Sequence, residues 1–305
     1  MIDFEIPEET KAVRNKVRKF VQEEVIPAEE NCTADNFDFV LAELRNKARG
    51  QGLWCPFVPV EHGGMGLRPL ANALVQMELG ESLLGALSMN TQGPDDATML
   101  TLLEHGTEHQ REKFLIPLLN GEKRICYSMT EKAAGADATG MQTTAELDGD
   151  EWVLNGEKWF SSSASVADIA VVMAKTNPEA PRHEQYSTFI VELPNPGYQI
   201  VRNIETMQPH TELGLKLGGS HSEIIIDDLR VPRENILGGQ GQGFNMGQHR
   251  LAYGRLRHGM HNVAMAQRAL DLAAGHVTQR ETFGKRLADR QGVRWMMADC
   301  AAEIY

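Results

Sequence analysis

The sequence predicts an α+β chain of three parts. These are an N-terminal helical domain over residues 1–123, a middle antiparallel β-barrel over 124–236, and an incomplete C-terminal helical bundle over 237–305. Apolar residues recur with a helical period in the first part, short strand-like runs alternate with turns in the second, and helical spacing then returns. The 305 residues, 42% of them hydrophobic, are enough for several cores.

The N-terminal part begins with a helix signal, since Pro7 is followed at once by two acidic residues. Val13, Val17, Phe20 and Val21 then follow helical spacing. Further helices are predicted over Phe37–Ala48, Pro69–Leu84, Asp95–Leu103 and Glu108–Leu119. The glycine-rich turn at Gly63–Gly66 is interpreted as a loop between helices, because neither a strand nor a Gly-Lys-Ser/Thr sequence accompanies it.

The pattern changes to β near Arg124. Two hairpin turns are indicated, at Asp148-Gly149 and Asn155-Gly156. Strand-like runs cover Ile125–Thr130, Glu151–Ser161, Ile169–Ala174, Ser187–Glu192, Tyr198–Val201, Glu223–Ile226 and Leu229–Val231. Short strands with turns at this spacing favour a small antiparallel barrel.

Helical periodicity returns from about Gly243. It is interrupted at Phe283-Gly284, and a last helix is predicted from Gln291 to Tyr305. That helix has no C-cap glycine and no closing turn, so we expect the sequence to be C-terminally shortened within a helical domain.

The composition argues against several classes of protein. A net charge of −12 disfavours nucleic acid and anionic membranes. The four cysteines form no CxxC pair, which indicates reduced thiols and no metal site. The sequence contains no run of eighteen apolar residues, and its acidic N-terminus resembles neither a signal nor a transit peptide. We therefore expect a cytoplasmic protein.

Two segments indicate a binding surface for a flat, polar ring. In Tyr127–Asp137, Thr130 and Glu131 end an apolar strand, and a loop of small residues follows whose backbone N–H groups can approach an anion. In Lys158–Ser161, Trp159 and Ser161 are two residues apart, which predicts one shared face of a strand. An isoalloxazine ring suits this pattern. An ordinary strand and turn with a core tryptophan is the alternative.

The order of helices, strands and helices, together with Thr130-Glu-Lys-Ala-Ala-Gly-Ala-Asp137, resembles the acyl-CoA dehydrogenase family along the whole chain. That family has Thr-Glu-Pro-x-Ala-Gly-Ser-Asp here, so Lys132 and Ala136 depart from it. The resemblance implies FAD as cofactor. It places Tyr127, Met129 and Thr130 against the flavin, and Gly135 and Ala136 in the anion-binding loop, with Ala136 also near substrate.

Two further motifs carry the resemblance. Trp159-Phe160-Ser161 is similar to the family's Trp-Ile-Ser/Thr, which implies that Trp159 and Phe160 lie beside the ring and that the Ser161 region donates to flavin N5. Arg280-Glu-Thr-Phe283-Gly, followed by Gln291, is similar to a segment that contacts the FAD of a neighbouring subunit. There Arg280 would meet the pyrophosphate, with Phe283 and Gln291 nearby. A homodimer or homotetramer is thereby implied. Without the motif, Arg280 would be interpreted as a solvated helix-end charge.

A fourth match, Gly247-Gln-His-Arg-Leu-Ala-Tyr-Gly-Arg255, resembles one branch of the family. It implies that the acyl-thioester pocket is lined by Ala252, Tyr253, Gly254 and Arg255. The family holds its catalytic base either at the position of Gly254, which has no side chain, or far toward the C-terminus. The base is therefore expected beyond Tyr305, the catalytic residue is unknown, and Glu131 is interpreted as structural.

The implied activity is FAD-dependent α,β-dehydrogenation of an acyl-CoA to trans-2-enoyl-CoA, with electrons passed to electron-transferring flavoprotein. Two alternatives stay open from the sequence. One is an oxygen-using flavoenzyme of the same fold, such as an acyl-CoA oxidase or a flavin monooxygenase. The other is a non-catalytic binding or assembly protein that lacks the base.

Overall fold

The structure is a computed structural model that describes residues 5–207 and 211–305. Most of its helices lie before residue 120 and after residue 242, as the sequence predicted. The helices are α1 Glu8–Phe20, α2 Ile26–Glu30, α3 Phe37–Gly50, α4 Pro69–Leu79, α5 Gly85–Ser88, α6 Asp95–His105, α7 Glu108–Gln110, α8 Ile116–Leu119, α9 Glu212–Lys216, α10 Gly243–Gln279 and α11 Gln291–Ile304. Two π-helical turns, Val21–Val25 and Arg111–Leu115, join α1 to α2 and α7 to α8. Among these residues, none of the helices has the length and apolarity that crossing a bilayer requires.

The middle of the chain folds into one large sheet. Its strands are β1 Ile125–Ser128, β2 Thr144–Asp148, β3 Glu151–Ser162, β4 Ile169–Lys175, β5 Tyr186–Glu192, β6 Tyr198–Asn203, β7 His221–Pro232 and β8 Ile236–Leu237. The hydrogen-bonded order is β6-β7-β3-β1-β4-β5-β8, and β2 pairs with β3 and β4. A separate two-stranded hairpin, β9 Glu281–Thr282 and β10 Lys285–Arg286, follows α10.

The predicted three-part order is confirmed, but the sheet is not purely antiparallel. Strands β1 and β4 pair in parallel, with Ile125 opposite Ile169 and Ser128 opposite Val172. The strand order is an open path, so closure into a barrel stays a prediction, as do the domain boundaries at residues 123 and 236. The runs 223–226 and 229–231, predicted as two strands, are one strand, β7.

The two faces of the sheet have different partners. Inward residues such as Leu154, Phe189 and Ile224 form a core within the sheet itself. On the outer face, β-strand residues such as Val171 pack against N-terminal helices through Met99 and other apolar side chains. This outer face is where α10 and the helices before residue 120 meet the sheet, and it positions the site described below.

The predicted hairpin turn at Asn155-Gly156 is wrong. Gly156 lies inside β3, at φ 151°, where the pairing with β7 shifts register. A Cβ on Gly156 would lie 2.5 Å from Thr143 Oγ1 and 2.7 Å from Thr143 Cα. A glycine is therefore required here because the bulged strand passes close to Thr143. In sequence it resembles a turn glycine because both positions need an unusual φ.

Gly156→Ala is expected to lower the free energy of unfolding by about 1–3 kcal/mol, because the strained φ and the contact with Thr143 backbone cannot relax together. Gly254→Ala is the matched control. A Cβ on Gly254 meets nothing within 4 Å, so that change is expected to stabilise α10 by about 0.5–1 kcal/mol. Urea unfolding of both variants measures the difference, and equal stabilities would contradict the assigned strain.

Candidate active site

Strand β1 presents different residues to the two faces of the sheet. Ser128 belongs to the inner face, where its Oγ lies 2.8 Å from Tyr198 Oη. Tyr127 belongs to the outer face, and the guanidinium carbon of Arg250 lies 4.0 Å from the centre of its ring. Burial raises the pKa of Tyr127, and the charge of Arg250 offsets only part of that effect. Tyr127 therefore offers a neutral aromatic surface next to the first turns of α10.

Helix α10 approaches this surface through a residue without a side chain. A Cβ on Gly247 would lie 2.9 Å from Met173 Cε, 3.5 Å from Tyr127 Oη and 3.8 Å from Met129 Sδ. A larger residue at this position would require at least the Met173 side chain to move. The structure thus brings together Tyr127, Met129 and the start of α10, which the sequence motifs place more than a hundred residues apart in the chain.

Beyond β1, the chain is fixed by a buried ion pair. Lys158 Nζ lies 2.8 Å from Glu131 Oε1 and donates to the Met129 carbonyl at 3.0 Å. The Glu131 carboxylate also accepts from the backbone N–H of Gln142 at 2.6 Å and of Thr143 at 3.0 Å. Both side chains are at most 3% exposed. Glu131 is therefore fully engaged as an anchor for the strand end.

The pKa values of this pair follow from burial and charge. Burial lowers the pKa of Lys158 to about 8, although the Glu131 charge acts against it. Burial alone would raise the pKa of Glu131, but the Lys158 charge and the Gln142 N–H outweigh it and lower that pKa. A carboxylate whose ionised form is stabilised in this way is a weak proton acceptor, which agrees with the structural role expected from the sequence.

The small-residue loop follows directly. Glu131 and Ala134 exchange both backbone hydrogen bonds at 3.1 Å, which closes a tight turn. Asp137 caps the next 3₁₀ turn. Between these fixed points Gly135 and Ala136 are exposed, and a Cβ on Gly135 meets nothing within 4 Å. The loop is thus held at both ends and open in the middle.

The predicted pairing of Trp159 and Ser161 on one face is wrong. Phe160 adopts φ 55°, and the pairing of β3 with β7 shifts register between Lys158 and Ser161. Ser161 is fully buried, with its Oγ 2.9 Å from Ser128 Oγ in the inner core. This bulge breaks the alternation on which the prediction depended, so the Ser161 hydroxyl does not reach the outer face.

The hydroxyl on the outer face is that of Ser162, which sequence reasoning missed. Ser162 pairs with Tyr127 across β1 and β3, and paired residues share a face. Its Oγ lies 2.9 Å from His221 Nδ1. Phe160 is 46% exposed, with its ring 6.3 Å from that of His221. The only sequence signal was the run of three serines, 161–163.

Trp159 lies between two cations. Lys132 Nζ is 5.0 Å and the Arg202 guanidinium carbon 5.4 Å from its ring centre, and both cations pair with Glu223. Lys132, which departs from the family motif, is therefore part of an ion-pair network beside the indole.

The residues expected to line an acyl pocket lie on one turn of α10 but have different environments. The Tyr253 ring is 5.5 Å from that of Phe57, and its hydroxyl accepts from Asn72 Nδ2 at 3.2 Å. Burial raises the pKa of Tyr253 beyond any physiological titration. Ala252 and Arg255 are exposed, and Gly254 faces open space.

A second buried ion pair lies next to this turn. Arg257 Nε is 2.8 Å from Asp96 Oδ2, and Asp96 is completely buried. Burial raises the pKa of Asp96 to about 6, although Arg257 and Arg250 act to lower it. Arg250 connects the pair to the sheet, because its Nε lies 3.2 Å from Thr98 Oγ1 while its guanidinium covers Tyr127.

The raised pKa of Asp96 predicts that the stability of the protein depends on pH. The pKa of Asp96 in the folded protein is above the usual value of 3.8. Between about pH 4 and pH 6 the folded protein therefore keeps a proton on Asp96 that the unfolded chain has released. The free energy of unfolding falls as pH rises through that window. Relative to Asp96→Asn, the wild type is expected to lose about 3 kcal/mol between pH 4 and pH 7. Urea unfolding of both proteins at the two pH values measures this, and a constant difference would contradict it.

The residues of the C-terminal motif lie far from the surface that contains Tyr127. Helix α10 has 37 residues, which is about 55 Å at the usual rise, so Arg280 at its far end is about 45 Å from Arg250. Arg280 and Gln291 are exposed, and Phe283 is 98% exposed on the β9–β10 hairpin. Within one chain, therefore, these three residues do not join Tyr127.

As a test of fit, the outer face has the features that a flavin requires. Tyr127 and Met129 give a flat apolar surface, Ser162 gives a hydroxyl beside it, and the open loop at Gly135 gives backbone donors for an anion. No carboxylate side chain among the residues of this surface is left free to repel a phosphate, since Glu131 is held by Lys158.

Comparisons with known proteins identify the family. The N-terminal, middle and C-terminal domain models of acyl-CoA dehydrogenase match residues 7–122, 126–229 and 241–305. The Mycobacterium tuberculosis protein FadE2 is 35% identical over 99% of this chain and 75% of its own length. The chain belongs to the acyl-CoA dehydrogenase family.

Two other relatives match most of this chain. Acyl-CoA dehydrogenase family member 11 of Gallus gallus is 36% identical over 95% of this chain, which spans only 38% of that protein. Subunit CarC of the caffeyl-CoA reductase–Etf complex of Acetobacterium woodii is 34% identical over 97% of this chain and 76% of its own length.

Solved structures share the fold. A structure from Mycobacterium abscessus superposes with a TM-score of 0.89 at 31% identity, covering 99% of this chain and 77% of that one. The Bacillus anthracis acyl-CoA dehydrogenase, solved in complex with FAD, superposes with a TM-score of 0.79 at 29% identity, covering 100% of this chain and 50% of that one.

Proposed function

We propose that this chain forms the flavin site of an FAD-dependent acyl-CoA dehydrogenase. The enzyme would convert an acyl-CoA thioester to a trans-2-enoyl-CoA and pass electrons to electron-transferring flavoprotein. The observation that carries the proposal is the outer face of β1, where Tyr127 and Met129 lie under the glycine turn of α10. The FAD complex of the Bacillus anthracis relative and the Etf complex of CarC support the choice of cofactor and partner.

Each residue has a proposed role in holding the cofactor. Tyr127, Met129 and Thr130 contact the ring, with Trp159 and Phe160 at its border. The backbone N–H groups of Gly135 and Ala136 bind a phosphate, because an open loop lets donors approach closely. FAD, when bound, supplies the acceptor for the hydride that leaves the substrate β-carbon.

Ser162, rather than Ser161, is the proposed hydroxyl donor to the ring edge. Ser162 shares the face of Tyr127, whereas Ser161 is committed to Ser128 in the core. We propose the tautomer in which His221 Nδ1 carries the hydrogen and donates to Ser162 Oγ at 2.9 Å, which leaves the Ser162 hydroxyl hydrogen for the ring edge. A donor aimed at the ring edge stabilises negative charge that develops there during reduction.

The α-proton needs a carboxylate acceptor. Gly254 has no side chain and Glu131 is held by Lys158, so we propose that neither residue is the acceptor. Ala136 and the turn Ala252–Arg255 are proposed to line the acyl-thioester pocket, because that turn follows the part of α10 that covers Tyr127.

A homodimer or homotetramer is also part of the proposal. Arg280, Phe283 and Gln291 are exposed and about 45 Å of helix away from Arg250. They would therefore complete the flavin site of a second copy. We further propose a cytoplasmic location, in keeping with the sequence.

The decisive experiment is flavin reduction by a panel of acyl-CoAs, followed by absorbance without oxygen and by a peroxide assay in air. The proposal expects yellow protein that bleaches with at least one acyl-CoA and then reduces electron-transferring flavoprotein. Peroxide formation in air would instead identify an oxygen-using flavoenzyme. Flavin that binds but is reduced by no acyl-CoA would favour a binding or assembly role. Protein that stays colourless with added FAD would refute the flavin site itself.

Ser162→Ala is expected to slow flavin reduction about fivefold, since one hydrogen bond of about 1 kcal/mol is lost from the ring edge. Ser161→Ala is the matched control, one residue away but buried against Ser128. It is expected to lower the melting temperature while leaving the reduction rate of folded protein unchanged. Stopped-flow absorbance compares them, and an equal slowing in both would remove Ser162 from the site.

A further inference from the structure

The end of α6 and the second turn of α10 bring two imidazoles and a carboxylate together on the surface. His249 Nδ1 lies 3.1 Å and His105 Nε2 3.6 Å from Glu104 Oε2, and one donor atom from each residue lies within 4.8 Å of the others. Among residues 5–207 and 211–305 this is the group of three or more potential metal-binding side chains with that spacing. We propose that Glu104, His105 and His249 bind a divalent transition-metal ion, with Zn²⁺ as the ion that they fit best.

The distances suit a tetrahedral ion. Zinc–nitrogen and zinc–oxygen bonds of about 2.0–2.2 Å place two ligand atoms about 3.3–3.6 Å apart in a tetrahedron. Both separations from Glu104 Oε2 lie within a few tenths of an ångström of that range. Rotation of the exposed side chains is enough to bring all three atoms onto one ion. The fourth position is then left to water.

The backbone on both sides of the cluster is already fixed. At the end of α6, Gly106 N–H donates to the Leu102 carbonyl at 2.9 Å and Arg111 donates to the Leu103 carbonyl at 2.8 Å. These bonds satisfy carbonyls that a helix end otherwise leaves open. On α10, Gly247 is seated against the sheet. Metal binding therefore orders three side chains without first having to order a loop.

The ligand types also select the class of ion. Two imidazoles and one carboxylate favour Zn²⁺ and its transition-metal neighbours over Mg²⁺ and Ca²⁺, which prefer oxygen ligands alone. The side chains are 38–69% exposed, so the ion can enter from solvent. Without a metal, the same atoms can form an ion pair with a protonated imidazole, and the experiment below separates the two.

A bound ion would link α6 to α10, where the N-terminal helices contact α10. The next residue along α10, Arg250, donates a hydrogen bond to Thr98 on α6, and its guanidinium lies over the Tyr127 ring. The metal would therefore hold the turn of α10 that forms one side of the proposed flavin site. The proposal does not depend on that function, because ion binding is measured without flavin or substrate.

The test is calorimetric titration of the untagged protein with ZnCl₂. Cys300 is an exposed free cysteine, and a thiolate is a zinc ligand, so the titration is made in a Cys300→Ser background. We expect one Zn²⁺ per chain and a rise in melting temperature of about 5 °C at a hundredfold excess over Kd. His249→Ala is expected to weaken binding at least about tenfold and to abolish most of the rise. His109→Ala is the matched control, since His109 is an exposed histidine on α7 outside the cluster.

Cobalt gives a second measurement of the same site. Co²⁺ bound by the three side chains is expected to show the visible absorption of a low-coordinate ion, and Zn²⁺ is expected to remove it. Equal zinc affinities for His249→Ala and His109→Ala would overturn the proposal, as would the lack of a saturable one-to-one phase in the background protein. In that case the cluster is an ion pair alone.

Discussion

Lys158→Met is expected to lower the free energy of unfolding by about 3–5 kcal/mol. The Lys158 ammonium lies 2.8 Å from Glu131 Oε1, and neither side chain is more than 3% exposed. Removing the ammonium leaves a carboxylate buried with two backbone N–H donors but no opposite charge. The Met129 carbonyl also loses its donor. Urea unfolding followed by circular dichroism measures the loss.

The matched control is a lysine in an exposed pair. Lys47 Nζ lies 2.6 Å from Glu24 Oε2, and the two side chains are 48% and 35% exposed. Lys47→Met is expected to cost no more than about 1 kcal/mol, because water replaces the lost partner. The double variant Glu131→Gln/Lys158→Met removes both charges and is expected to recover part of the loss. A single variant as stable as the control would show that Glu131 is not held by Lys158.

The Lys158–Glu131 pair also explains how the backbone after β1 is held in place where regular sheet pairing has ended. Strand β1 ends at Ser128, and the chain beyond it is fixed by Lys158 on the Met129 carbonyl and by the Trp159 N–H on the Thr130 carbonyl at 2.7 Å. In the proposed flavin site, the charge pair therefore positions the backbone of Met129.

The sequence predicted the order of helices and strands because apolar periodicity is a local property that each segment carries alone. Tyr127 and Met129 were assigned to one surface by the family resemblance rather than by periodicity, and that assignment stays a prediction. Their meeting with Gly247 depends on tertiary packing, which no local pattern predicts.

The two wrong predictions in β3 have one physical cause. Alternation predicts faces only while a strand is regular, and β3 contains two irregularities, at Gly156 and at Phe160. Because a single inserted residue reverses every later side chain, Ser161 was placed outside and Ser162 was overlooked. The Glu104–His105–His249 cluster was missed for a different reason, because its members come from two helices that meet only in the folded chain.

Arg280→Ala is expected to weaken FAD binding about 10- to 100-fold, which is the strongest effect on the proposed site. A planar guanidinium makes charge-assisted hydrogen bonds with a pyrophosphate, each worth about 1.5–3 kcal/mol. Equilibrium titration of apoprotein with FAD measures the change. Arg286→Ala is the matched control, because Arg286 is an exposed arginine on the hairpin that follows Arg280. Equal affinities for the two variants would remove Arg280 from the site.

The same variant tests whether the site is shared between chains. Gly135→Trp is expected to block the anion loop without unfolding it, because a Cβ on Gly135 meets open space. If Arg280 acts on a second copy, mixed oligomers of Arg280→Ala and Gly135→Trp chains contain one intact site and regain FAD binding. If Arg280 acts within its own chain, each mixed site keeps one defect and no binding returns. The exposed position of Arg280, about 45 Å of helix from Arg250, leads us to expect recovery.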